Sequence, residues 1–158
     1  MNECTVLNRT LTLNGTGVRK VFMVEVYKAY LFSEQAVRRR DQVVQARAPY
    51  RLAIHFSYGP ISAERMQKAW RDAILNSLDE AALEREKVAF QQFFDSIKEY
   101  RKGDVVDYDL YRDELSIYTN RELLCKIASR TVAEVVIDVL IGDRPIDENL
   151  KKGLLAAA

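Results

Sequence analysis

The stretch Leu11–Leu31, LTLNGTGVRKVFMVEVYKAYL, sets a permanent cation inside an apolar, strand-forming pattern. β-Branched and aromatic residues dominate from Val18 to Phe32, as they do in strands. Alternate side chains of an extended chain share a face, so Arg19 falls in the row of Val21, Met23, Glu25, Tyr27 and Leu31. A guanidinium does not shed its proton, and one enclosed by apolar side chains needs an anionic or multiply accepting partner. Glu25 shares the row, but six residues of straight strand span about 20 Å, out of contact range. Other acids of the chain, Asp109 and Glu122 among them, and a ligand stay open as that partner.

On either side of this stretch, the turn-forming dipeptide Asn14-Gly15 predicts a hairpin between strands at Thr5–Leu13 and Val18–Phe32. Gly15-x-Gly17 does not read as a phosphate loop. Neither a third glycine nor Gly-Lys-Ser/Thr follows, and the next element is a strand rather than a helix with free amides. Further along, Gln35–Val44 predicts a short helix, whose Arg38-Arg39-Arg40 run lacks interleaved aromatics and reads as a solvated face. Arg51–Ser57 alternates as a strand, and Ser62 suits a helix N-cap with Glu64 in the first turn.

Two amphipathic helices follow, one presenting Met66, Trp70, Ala73 and Ile74, the other Leu83, Phe90, Phe93, Phe94 and Ile97. A turn at Lys102-Gly103-Asp104 precedes an antiparallel pair, DVVDYDLYR and ELSIYTN, and a short strand Glu122–Ile127. A helix through Val132, Val136 and Leu140 ends at Gly142 and Pro145, and Asp147–Leu155 closes the chain as a last helix. Strand and helix blocks are segregated, which predicts an α+β fold with an antiparallel sheet.

At 158 residues the chain reads as one domain over residues 1–158. Twenty-four Lys+Arg against 23 Asp+Glu leave a net charge of +1, so no global field of either sign recruits nucleic acid or an anionic membrane. No apolar run reaches the ~20 residues of a membrane span. No basic-plus-apolar leader precedes the first strand, so the chain as written carries no signal peptide. That reads as cytoplasmic as written, or periplasmic if a leader has been trimmed. Cys4 and Cys125 are two thiols for which one bridge or none is possible. With the single histidine, His55, and no Cys or His cluster, neither a metal nor a cofactor is expected.

His55 lies on the parity opposite Leu52, Ile54 and Phe56, and general-base work would need an orienting partner that the sequence does not name. Trp70 and the Phe90/Phe93/Phe94 set read first as core, with room for a pocket between sheet and helices.

LNGTGVRKVFMVEVYKAYLF resembles the opening strands of the chalcone isomerase-like family, with its Gly-x-Gly-Val-Arg strand and Val-Tyr-x-x-x-Tyr-Leu run. RLAIHFSYGPISAERMQKAW and RTVAEVVIDVLIGDRPIDENLKKGLL resemble its first long helix and its closing helices, in collinear order from Leu11 to Leu155. The resemblance is to compact bacterial-type members. It implies an open-faced β-sandwich, a large antiparallel sheet covered on one face by helices, with a ligand cleft between the layers. Plant enzymes of the family close a flavanone ring, and other members bind fatty acids without catalysis. In both, the arginine of the Gly-Val-Arg motif meets the ligand's negative charge, which implies that role for Arg19. The rest of the plant catalytic set is not matched: Ile61, with Tyr58 nearby, stands at the tyrosine position, His55 at a lysine, and Glu122 near a hydroxyl residue.

The expected function is therefore non-catalytic binding of a small amphipathic, carboxylate-bearing ligand of fatty-acid type. Arg19 would meet its head, Tyr27 and Tyr58 would add hydrogen bonds, and Met23, Trp70, Phe90 and Phe94 would line its tail. One alternative is an isomerase or intramolecular lyase for a conjugated ketone, with Arg19 on an enolate oxyanion and His55 or Tyr58 moving the proton. Another is an interaction domain with a closed cleft and Arg19 as a structural cation. The oligomeric state is left open.

Overall fold

Two pairs of residues in left-handed backbone divide the first third of the chain into three strands. Leu7 and Asn8 (φ 52° and 62°) form one turn, and Phe22 and Met23 (φ 49° and 68°) the other. In the computed structural model, which describes residues 2–45 and 47–156, these turns join β1 (Glu3–Val6), β2 (Arg9–Val21) and β3 (Val24–Ser33).

The hairpin expected at Asn14-Gly15 is not there. A two-residue hairpin of type I′ needs positive φ at both central positions, and here Leu7-Asn8 and Phe22-Met23 supply it. Asn14-Gly15 instead forms a bulge inside β2, where the register with β3 shifts between Leu13 and Gly15. The Asn14 side chain holds the bulge in place. Its Nδ2 donates to the carbonyls of Val37 and Leu154, both at 2.8 Å, and its Oδ1 accepts from the Val37 amide at 2.7 Å.

Beyond β3 come α1 (Arg40–Val44), β4 (Tyr50–Phe56), α2 (Ala63–Ile74), α3 (Glu80–Arg85) and α4 (Lys87–Asp95). Then follow β5 (Val105–Tyr111), β6 (Glu114–Thr119), β7 (Glu122–Ile127), α5 (Arg130–Ile141) and α6 (Glu148–Leu154). The strands pair antiparallel in sequence order, β1 through β7, as one seven-stranded sheet. Helix starts follow local chemistry: the Ser62 and Ser129 hydroxyls accept from the amides of Arg65 and Val132. The second predicted helix is two, α3 and α4, meeting at Glu86.

One face of the sheet, with Leu31, Leu52, Ile54, Tyr108 and Ile117, joins a single core with the helices. At its centre α5 buries Val132, Val136, Leu140 and five more residues. Each such aliphatic side chain contributes about 1.5–3 kcal/mol when fully buried. The other face carries a smaller cluster of Val6, Leu11, Phe32 and Ala53. Beside it Arg51 makes a bidentate pair with Asp109, at 2.7 and 2.9 Å. Cys4 on β1 pairs with Leu11 of that outer face and Cys125 with Ile117 of the inner one, and both are free thiols.

The Gly-x-Gly motif serves contact between backbones. A Cβ on Gly15 would strike the carbonyls of Gly153 and Leu154, and one on Gly153 would strike the Thr16 carbonyl. A Cβ on Gly17 would lie 2.7 Å from the Leu150 carbonyl. Helix α6 therefore rests directly on β2, with the end of its N-terminal turn brought beside Arg19.

Candidate functional site

The Asn14 bulge decides which way Arg19 faces. Before it, Leu13 opposes Phe32, on the outer face; after it, Gly15 opposes Leu31, Gly17 opposes Ala29 and Arg19 opposes Tyr27, on the helix side. Without the extra residue the odd positions of β2 would continue on the face of Leu11 and Leu13.

Arg19 Nη1 donates to Oδ2 of Asp147 at 3.5 Å. The other oxygen of that carboxylate, Oδ1, accepts from the amides of Asn149 and Leu150 and caps α6. The internal acid is thus Asp147. Glu122 sits exposed on β7 opposite Thr119, and Asp109 is taken by Arg51 on the outer face. The Phe22-Met23 turn brings Glu25 back only as far as Lys20, one position short of Arg19, and its carboxylate accepts from the Ser57 hydroxyl at 2.6 Å.

Arg19 stands at the wall of a cavity of about 380 Å³ between the β2–β4 strands and helices α2 and α5. Its depth is apolar and aromatic, with Tyr27, Ile54, Met66, Trp70, Val139 and Leu140. Its mouth is formed by the exposed residues Val21, Phe22, Val24, Tyr58, Arg65 and Ala69. The volume lies at the lower end of the ~300–1,000 Å³ range of small-molecule sites. Burial pushes the Tyr27 hydroxyl up to about 12; the neighbouring Arg19 charge acts the other way, and Asp147 adds to the rise. Tyr27 is therefore a neutral hydrogen-bonding group at physiological pH. Trp70 is fixed edge-on against Phe93 (5.1 Å) and Tyr108 (5.6 Å).

Four of the residues singled out in the sequence, Arg19, Tyr27, Tyr58 and Trp70, line this cavity. Phe90 is buried in the core and Phe94 is half-buried against it, both outside the lining. Met23 is 94% exposed at the turn tip. Its assignment to the sheet row of Arg19 assumed an unbroken strand, which the turn interrupts. His55 opposes Lys28, on the parity opposite Phe56 and Tyr27, so it lies on the outer face, with its ring tilted against Tyr30 at 4.6 Å between centroids. Burial lowers its pKa. Arg19 and His55 are on opposite faces of the sheet and cannot share a substrate.

Sequence reasoning missed Asp147 and Arg65. Asp147 carried a usable signal: an N-cap aspartate commits one oxygen to its own helix and leaves the other free to meet a cation. Arg65 carried none, because nothing in an exposed first-turn arginine says what it faces.

A family model described as chalcone isomerase-like matches residues 1–156. No curated protein sequence matched the chain. Among solved structures, an Arabidopsis thaliana fatty-acid binding protein superposes with a TM-score of 0.74 at 15% sequence identity, covering 92% of this chain and 86% of that one. At that identity the likeness speaks for the fold: an α+β, open-faced arrangement of a curled antiparallel sheet under helices. A match over nearly every residue, on a fold of this architecture, places the chain in the chalcone isomerase-like family.

Proposed function

We propose that the protein binds, without catalysis, a small amphipathic molecule bearing a carboxylate, of fatty-acid type. The observation that carries this reading is the position of Arg19, at the wall of an apolar cavity, where its one ion pair among the described residues is the 3.5 Å contact to Asp147. A guanidinium has five N–H donors, so most stay free for an incoming carboxylate. A charge-assisted hydrogen bond of this kind contributes about 1.5–3 kcal/mol. The neutral Tyr27 hydroxyl, opposite Arg19 in register, offers a second hydrogen bond, and Met66, Trp70 and Leu140 offer a surface for the tail. The name of the Arabidopsis protein gives the same class of ligand for a protein of this fold.

The Arg19–Asp147 contact favours a second reading, in which Arg19 only ties β2 to the cap of α6. Extraction of the purified protein followed by mass spectrometry separates the two, using wild type, Arg19→Gln and Ala69→Trp. Ala69 is exposed at the cavity mouth, so a tryptophan there obstructs entry and leaves Arg19 and the core alone. Carboxylate lipid in the wild type that is lost in both variants is the expected result. Absence of ligand from the wild type, with a destabilised Arg19→Gln, overturns it in favour of the structural tie.

A further inference from the structure

The Phe22-Met23 turn is the most exposed apolar feature of the described residues. Phe22 is 98% and Met23 94% exposed, with Val21, Val24 and Tyr58 exposed beside them. Both turn residues occupy left-handed backbone, where Asn and Gly are favoured and large side chains are not. Neither ring nor thioether packs on the protein, so folding gives no reason for apolar residues here. We propose that this tip docks the protein on an anionic lipid bilayer, with Phe22 and Met23 entering the boundary between headgroups and acyl chains.

Three observations select a bilayer over a protein partner. The first is shape: a two-residue turn is a narrow convex point, whereas a stable protein interface buries about 800 Å² on each side. Insertion of two side chains into a bilayer needs no such area. The second is charge: Lys20, exposed two residues before Phe22, is about 7 Å back along the strand. With the tip ~5–10 Å into the boundary region, its ammonium reaches the headgroups. Arg65 lines the cavity mouth, so Lys20 and Arg65 are two cations against the one carboxylate of Glu25, which stands opposite Lys20 and accepts from the Ser57 hydroxyl. Lys20 and Arg65 make no ion pair among the described residues. With a whole-chain charge of +1, this attraction is local. The third is continuity: Val21, Phe22 and Val24 also line the cavity mouth, so a docked tip would set the opening against the bilayer surface.

This inference rests on the ligand reading only for its purpose, which is lipid transfer between bilayer and cavity. It is tested by flotation of the full chain with vesicles of phosphatidylcholine, with and without phosphatidylglycerol. In parallel, retention of a fluorescent fatty acid is measured in solution. Met23→Gly suits the turn's backbone and removes the side chain; neither it nor Lys20→Gln alters a cavity-lining residue. The wild type is expected to float with the anionic vesicles. Met23→Gly should weaken binding about tenfold or more, and Lys20→Gln about fivefold on anionic vesicles alone.

Fatty-acid retention should be the same in both variants as in the wild type. Vesicle binding without fatty-acid retention upholds docking while the ligand reading fails; retention without vesicle binding overturns docking. Docking is also overturned if Met23→Gly floats like the wild type. A wild-type dimer that Met23→Gly converts to monomer in lipid-free buffer would overturn it too, since a second copy would then occupy the tip.

Discussion

Asp147 divides its carboxylate between two elements: one oxygen caps α6 through the Asn149 and Leu150 amides, and the other meets Arg19 at 3.5 Å. The cap places a charge that Arg19 can use, and the glycine contacts between α6 and β2 hold the two in register. An incoming carboxylate would compete with Asp147 for the same guanidinium. On the proposed function, Asp147 is therefore a weak internal competitor.

Replacing Asp147 separates cap from charge. Asp147→Asn retains a capping oxygen and removes the charge, so it should change stability by under about 1 kcal/mol. It should also tighten binding of a fatty acid by freeing Arg19. Asp147→Ala should cost about a further 1 kcal/mol from the lost cap. Urea unfolding and fluorescent fatty-acid titration of the two variants read both effects. Weaker binding in Asp147→Asn would show that the pair orients Arg19 rather than competes for it.

The glycines of β2 and α6 should be far less replaceable than Gly103. Gly15→Ala and Gly153→Ala press a methyl against backbone that has no rotamer to yield, and should each cost about 3 kcal/mol or more. Gly103 has φ +97° but open space around it, so Gly103→Ala should cost only about 1–3 kcal/mol of backbone strain. Equal midpoints in urea for Gly15→Ala and wild type would contradict the contact between α6 and β2.

Alkaline pH should weaken the fold through Tyr27. Its folded value of about 12 lies above the ordinary value of 10.0, so the unfolded chain releases the proton first. The stability it contributes is complete below pH 10 and lost as pH rises through about 12. At about 1.36 kcal/mol per unit, the loss is on the order of 2–3 kcal/mol. Chemical unfolding between pH 9 and pH 12 (roughly the span of the two titrations) should show a shallower decline in Tyr27→Phe than in wild type.

His55→Ala should leave fatty-acid retention at the wild-type level, because His55 faces the opposite side of the sheet from the cavity. Any conjugated-ketone isomerisation that disappeared in both Arg19→Ala and His55→Ala would contradict that geometry.

The sequence alone determined the α+β class, the antiparallel β5–β6 pair and the capped helices, because hydrophobic period and cap chemistry are local. It also carried the motif that marks Arg19. It misplaced the hairpins, since Asn14-Gly15 is turn chemistry that tertiary contacts with Val37 and Leu154 convert into a bulge. That bulge reverses side-chain parity and turns Arg19 toward the helices. Asp147 lies 128 positions from Arg19, and only the packing of α6 on Gly15 and Gly17 brings it there. Local pattern specifies which elements form. The direction Arg19 faces, and the acid it meets, depend on a one-residue register shift and a long-range backbone contact, to which no local periodicity is sensitive.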